Sequence, residues 1–367
     1  MTDARDLLVV VGARPNFVKV APLLTAFDRY DDVRPHILHT GQHYDRAMSG
    51  AFLDQLAFPE PRFQLGVGSG SHAEQTAAVL VGVERVLSDE PFAAILVAGD
   101  VNSTLAAALA ASKLGVAIVH LEAGLRSRDW TMPEEINRVL TDRLSDLLLV
   151  HSAEAIDNLA AEGVDGARVA MVGNTMIDSL LSLLPAARAT GVLTHHGLVA
   201  RQYALVTLHR PALVDDPARL AAVVETLTEL ADETTVVFPM HPRTHARLGE
   251  QHVDLLERIL LLPPLDYLEF IELEAQARLV ITDSGGVQEE TTALGVPCLT
   301  YRTSTERPVT TTHGTNELVG LDPHLLRQRA SALLSEPWSP RSCAVPLWDG
   351  RAGERAATAV ADFLARL

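Results

Sequence analysis

Three carboxylates, two histidines and one glycine-rich helix start stand where chemistry is easiest to place in this 367-residue chain. Asp100 follows the apolar run AAILVAG, Glu122 follows AIVHL, and Glu134 opens the segment PEEINRVLTD. Carboxylates gathered in one cleft divide into an acid and a base when their surroundings separate their pKa values, which is what general acid–base chemistry requires. Acids at a helix start also have a plainer reading, as residues favoured by the helix dipole. That reading is kept for Glu135, while Asp100, Glu122 and Glu134 are taken as the proton-transfer set. His209 with Arg210, and His241 with Arg243, each follow an apolar run in the second half. A lone histidine is more often structural; two such loops make a functional pair an even alternative.

The complementary chemistry is anion binding. In TDSGGVQEE, Ser284, Gly285 and Gly286 lie between the run RLVI and a helix, presenting a hydroxyl and free amides at a helix N-terminus, a ready diphosphate site. Glu290, one or two turns on, is placed to accept from ribose hydroxyls, and a simple N-cap is the alternative. In VGARPNFVK, Arg14 offers a planar fork of donors for phosphate, with Lys19 nearby. This segment has neither the glycines nor the Lys-Ser/Thr pair of a P-loop, and it is not a dinucleotide fingerprint. Closely spaced glycines in GVGSGSHAEQTA are fed by no apolar strand; Ser71 and Glu74 there read as a capping box.

Composition narrows the ligand. A net charge of -17 argues against general affinity for nucleic acid or anionic membrane, so a phosphorylated ligand needs a locally positive pocket. The two cysteines, Cys298 and Cys343, are far apart and lack metal-ligand spacing, which fits structural thiols in a reducing compartment and no metal site. No apolar stretch approaches the roughly 20 residues of a membrane helix. The start MTDARDLLVVVG carries no leader, and a cytoplasmic location is expected.

These residues need elements to position them. Short apolar runs (DLLVVVG, HILHTG, AAILVAGD, AIVHLEAG, DLLLVHS, RVAMVGN) alternate with helical segments in the first half, and ALVTLHR, TTVVFPMH, RILLLPP, RLVITDSGG and PCLTYR repeat the scheme in the second. Fully apolar strands alternating with helices predict parallel sheets covered on both faces, and two series predict two doubly wound domains, with the break near residue 178. GERAATAVADFLARL has the spacing of a closing helix. Ligands of such sheets bind beyond the carboxyl ends of the strands, where Gly12, Gln42, His43, Asp100, Glu122, His209, His241 and Ser284 all fall.

Across nearly the whole chain, VVGARPNFVKVAPLL, TGQHYD, GDVNSTLA, HLEAGLR, MPEEINR, VGNTMIDSL, TLHRP, DSGGVQEE, STERP and HGTNELVG resemble the non-hydrolysing UDP-N-acetylglucosamine 2-epimerases. The resemblance implies an α/β fold with two Rossmann-like domains in a GT-B-like arrangement and the active site in the interdomain cleft. It implies domains at 1–178 plus 350–367, with a crossover helix, and at 179–349. It implies catalytic roles for Asp100, Glu122, Glu134 and His209; substrate contacts from Arg14, Lys19, Arg138, His241, Ser284, Gly285, Gly286, Glu290 and Arg307; and a uracil contact from Phe270. Arg302, Thr305 and Glu306 match the same block as Arg307. Gln42 and His43 match a region where some relatives bind an activating second substrate molecule. No cofactor or metal is implied, and the partners are a UDP-sugar and a second copy of the chain. Asn16, where many relatives have Glu, and Ala212 with Leu213, where a polar pair is common, bear on substrate scope. A GT-B glycosyltransferase, a hydrolysing 2-epimerase and a non-catalytic sugar-nucleotide sensor share parts of this pattern.

Overall fold

A computed structural model of the chain describes residues 4–41, 55–240 and 258–367. Two compact units emerge, one formed by Met1–Ser182 with Pro346–Leu367 and the other by Leu183–Val345.

In the first unit the elements run β1 (Arg5–Val11), α1 (Arg14–Phe27), β2 (Val33–His39), β3 (Phe63–Gln64), α2 (His72–Asp89), β4 (Ala94–Ala98), α3 (Asn102–Leu114), β5 (Ala117–Leu121), α4 (Pro133–Leu144), β6 (Leu147–Val150), α5 (Ala153–Ala161), β7 (Val169–Met171) and the start of α6 (Thr175–Ala189). The strands form one parallel sheet in the order β3-β2-β1-β4-β5-β6-β7. Its central strands are apolar throughout because both faces are covered: all five residues of β4 are buried, as are the last five of β1. Ser71 caps α2 through the Glu74 amide while the Glu74 carboxylate returns to the Ser71 amide, the capping box expected there.

The second unit holds β8 (Tyr203–Thr207), α7 (Pro217–Leu230), β9 (Thr235–Pro239), β10 (Leu260–Leu262), α8 (Tyr267–Gln276), β11 (Leu279–Thr282), α9 (Gly285–Leu294), β12 (Cys298–Thr300), β13 (Asn316–Leu318) and α10 (Pro323–Ser335). Its sheet is again parallel, in the order β10-β9-β8-β11-β12-β13. Alternation along β8 feeds two cores: Ala204 and Val206 pack on one face of the sheet, Tyr203 and Leu205 on the other.

In both sheets the order reverses beside the first strand, between β1 and β4 and between β8 and β11, which is where an open α/β sheet forms its ligand crevice. A last helix, α11 (Ala352–Leu364), returns to the first unit and packs on α1. Gly353 permits this approach, since a Cβ there would lie 2.7 Å from the Pro22 carbonyl. The Gly353 amide donates to Asp178 Oδ2 at 2.7 Å. Among the described residues no helix is long and apolar enough to cross a membrane.

Candidate active site

The crevice of the first unit is built on Asn16. Its side-chain oxygen accepts from the amides of Gly12 and Ala13, both at 3.0 Å, and so caps the start of α1; its Nδ2 donates to the Ala98 carbonyl at 2.9 Å, the last residue of β4. One amide thus spans the switch point between β1 and β4. A glutamate here would have no proton for Ala98, which gives a physical reason for the asparagine in this chain.

One turn further along α1, Lys19 reaches Glu122, with Nζ 2.7 Å from Oε2 and both side chains more than nine-tenths buried. Glu122 leaves β5 with φ +69, a left-handed backbone that carries a steric cost for a residue with a Cβ. The turn is held by hydrogen bonds from the Glu122 and Ala123 amides to the Leu149 carbonyl, at 3.1 and 3.0 Å. On the neighbouring strand Asp100 follows β4 and remains partly open. Arg138 of α4 donates to its Oδ2 at 2.5 Å, and Asn137 donates to its carbonyl at 2.9 Å. Asn102 links this loop to α2 through Gln75 and His72. The Ala98–Leu121 pairing places the two acids just beyond adjacent strand ends.

The two glutamates that open α4 have different fates. Glu134 is exposed in the first turn. Glu135, read from the sequence as a dipole residue, is buried and accepts from the Ser127 amide and hydroxyl and the Arg128 amide at 2.8–2.9 Å, besides pairing with Arg138 at 2.6 Å. It anchors the loop 127–128. Arg14 lies exposed at the start of α1.

The second unit repeats the plan with different residues. Asp283, just after β11, is buried and accepts from the His209 and Arg210 amides at 2.9 and 2.8 Å, pinning the β8 loop across the switch point. His209 keeps an exposed ring, with Nδ1 3.2 Å from Asp283. Ser284 stands at the N-cap of α9, yet its side chain makes no capping bond, so the hydroxyl is not consumed by the helix. Gly285 lets the Arg307 and Glu306 side chains come close to the start of α9, since a Cβ there would lie 2.4 Å from Arg307 Nη1 and displace it. Arg307 pairs with Glu289 at 2.9 Å and Glu306 at 2.5 Å, and Arg302 pairs with Glu306 at 2.7 Å. Burial alone would raise the Glu306 carboxyl; Arg307 and Arg302, with Arg210, more than offset this and hold it well below the usual carboxylate range. Three guanidinium groups thus interleave with the carboxylates of Asp283, Glu289 and Glu306 beside a helix N-terminus, whose amides and dipole favour an anion. Glu290, a turn into α9, accepts from the Tyr267 hydroxyl at 2.6 Å, and Phe270 is partly buried one turn beyond Tyr267 on α8.

Within the first unit the structure therefore brings together Asp100, Glu122, Lys19 and Arg138, and within the second Ser284, Gly285, Glu290, Arg307 and the Asp283–His209 pair. Gln42, His43 and His241 lie outside the described residues. The sequence reading gives no role to Asp283 as a loop clamp or to His120 and Asp142, which meet in the core at 2.6 Å. A histidine inside the otherwise apolar run AIVHL was the available signal, since a buried imidazole needs partners. Among the described residues no group of three or more His, Cys, Asp or Glu could hold a metal ion.

Two Rossmann-like units whose strand orders both turn about the first strand define a doubly wound α/β protein of the GT-B-like class. The chain belongs to the UDP-N-acetylglucosamine 2-epimerase family, whose profile matches residues 25–361. It is 40% identical over 358 residues to the UDP-N-acetylglucosamine 2-epimerase of Methanocaldococcus jannaschii, covering 95% of this chain and 97% of that one. It is 41% identical over 367 residues to the UDP-2,3-diacetamido-2,3-dideoxy-D-glucuronate 2-epimerase of Pseudomonas aeruginosa, covering 98% and 99%. The crystal structure of the M. jannaschii enzyme in complex with UDP-GlcNAc and UDP superposes with a TM-score of 0.87 over 97% of this chain and 99% of that chain.

Proposed function

We propose that the chain is a non-hydrolysing UDP-N-acetylglucosamine 2-epimerase that interconverts UDP-GlcNAc and UDP-ManNAc. The observation that carries this reading is the pair Asp100 and Glu122 at adjacent strand ends, each held by its own cation. C2 of the sugar is not next to a carbonyl, so its proton cannot leave by forming an enolate. Elimination avoids that barrier. A carboxylate takes the C2 proton, the C2–H pair becomes the C1=C2 bond of a 2-acetamidoglucal, and the C1–O pair leaves with UDP. UDP oxygen then adds back to C1 as a proton reaches the opposite face of C2. No net oxidation occurs, and no redox cofactor enters.

Asp100, Glu122 and Glu134 are assigned the proton transfers. Ser284 with the α9 terminus, Arg307 and His209 are assigned the departing diphosphate, whose charge grows as the C1–O bond breaks. Arg14 and His241 are placed with them, Glu290 on the ribose and Phe270 on the uracil. On the same reading the enzyme works as a cytoplasmic homodimer. A second substrate reading, a UDP-2,3-diacetamido uronate epimerised at the same carbon, is favoured by the 41% identity to the P. aeruginosa relative.

Incubation with UDP-GlcNAc alone in heavy water, followed by NMR, tests the reading. Deuterium at C2 of both epimers is the expected result. Free N-acetylmannosamine with UDP marks a hydrolysing enzyme, no turnover without an acceptor marks a glycosyltransferase, and no turnover at all a binding protein or the uronate substrate. Product formed without deuterium at C2 rules out the elimination.

A further inference from the structure

His120 has no exposed surface, and both of its ring nitrogens are engaged. Nδ1 lies 2.6 Å from Asp142 Oδ1, and Nε2 lies 2.8 Å from the Gly99 carbonyl. A carbonyl only accepts, so Nε2 donates to Gly99, and Nδ1 shares a proton with the Asp142 carboxyl. The other oxygen of Asp142 accepts from the Gly124 amide at 3.0 Å and pairs with Arg126 at 2.7 Å. Arg126 continues to both carboxylate oxygens of Glu162, each at 2.7 Å.

The backbone groups gripped at the two ends of this chain are informative. Gly99 precedes Asp100, and Gly124 comes two residues after Glu122. Asp142 itself belongs to α4, whose Asn137 and Arg138 hold the Asp100 carbonyl and carboxylate. One imidazole–carboxylate pair therefore ties both acid-bearing turns to one helix. A buried polar pair is weak evidence for stability, because an apolar replacement of similar volume is often no worse. Its firmer use is to select one geometry over near alternatives, and a displacement of about 1 Å in a reacting group can cost on the order of 100-fold in rate.

We propose that His120 and Asp142 are positioning residues that fix the separation of Asp100 and Glu122, so that one turn can serve removal of the C2 proton and the other its return. This rests on the epimerase reading given above. Neither residue touches the sugar. If the spacing relaxes, elimination suffers less than re-protonation on the second face, and the intermediate escapes as free glycal with UDP.

The two conservative replacements separate the contacts. His120→Gln can keep a donor at the Nε2 position toward Gly99, whereas His120→Asn can keep one only at the Nδ1 position toward Asp142. Each breaks one end of the tie, so NMR turnover assays should show both slowed in kcat by about 100-fold, with KM and UDP affinity within about twofold, and releasing glycal. Asp142→Asn, which retains one acceptor oxygen, should also leak glycal. UDP titration by calorimetry counts the folded sites in every variant.

Wild-type kcat in either histidine variant, or losses in both that follow the fraction of folded sites with no glycal, would overturn the proposal. If His120→Asn does not fold, His120→Gln and Asp142→Asn decide the matter by the glycal alone: released glycal upholds the proposal and none overturns it. Wild-type enzyme that places no deuterium at C2 instead brings down the functional reading itself, whatever the variants do.

Discussion

Lys19 and Glu122 form an ion pair 2.7 Å long in which neither partner is more than a tenth exposed. The pair joins the first helix of the first unit to the turn after β5, where Glu122 holds a left-handed backbone. Breaking one side of such a pair leaves an uncompensated buried charge, which costs about 3–5 kcal/mol. Lys19→Met should lose stability on that scale, while Lys19→Met combined with Glu122→Gln should recover much of it. Urea unfolding of Lys19→Met, Glu122→Gln, the double variant and the wild type closes the cycle. Additive losses would show that the two residues do not act as a pair.

Ser284→Ala and Glu290→Ala should weaken UDP binding more than they slow turnover of bound substrate. A hydrogen bond to a charged group contributes about 1.5–3 kcal/mol, so a loss of roughly 10- to 100-fold in affinity is expected for Ser284→Ala. Calorimetry with UDP reads this directly, and an unchanged Kd removes Ser284 from the diphosphate site.

Asn16→Asp should cost about 1–3 kcal/mol, because the Ala98 carbonyl loses its donor and faces an acceptor instead. Hydrogen exchange should rise locally at the β4 end and the start of α3. Protection there equal to that of the wild type would mean that the amide does not hold the two turns together.

Stability of the second unit should depend on pH through Glu274. This residue of α8 has no exposed surface; burial first, and the neighbouring Glu290 carboxyl second, push its pKa well above 4.5. The folded state therefore keeps a proton that the unfolded chain releases. The contribution is full below the ordinary glutamate value and is lost as pH rises toward the folded value. Glu274→Gln, which cannot ionise, should be relatively more stable at about pH 8 than at about pH 5 when compared with wild type in urea titrations. A difference that does not change with pH would show that Glu274 is ionised in the fold.

Much of the architecture is legible in the sequence because both sheets are covered on two faces: runs such as LLVVV and AILVA leave little room for another reading. The strand-turn-helix at Asp283–Gly286 is legible for the same reason. Glu135 shows where that legibility stops. Its position two residues into a helix fits the dipole, and only the folded loop reveals that Ser127 and Arg128 need its oxygens. Asp283 and the His120–Asp142 pair are hidden likewise, since their partners are carbonyls and amides, which leave no trace in residue type.

The seat of α11 on α1 has a consequence for how the protein is made. Residues 14–27 leave the ribosome hundreds of residues before residues 352–364, yet each covers the other in the finished unit. The second unit is contiguous and can close as soon as its own residues have emerged, while the first keeps an uncovered face throughout elongation. Folding order along the nascent chain is thus inverted relative to sequence order: the unit begun first is completed last.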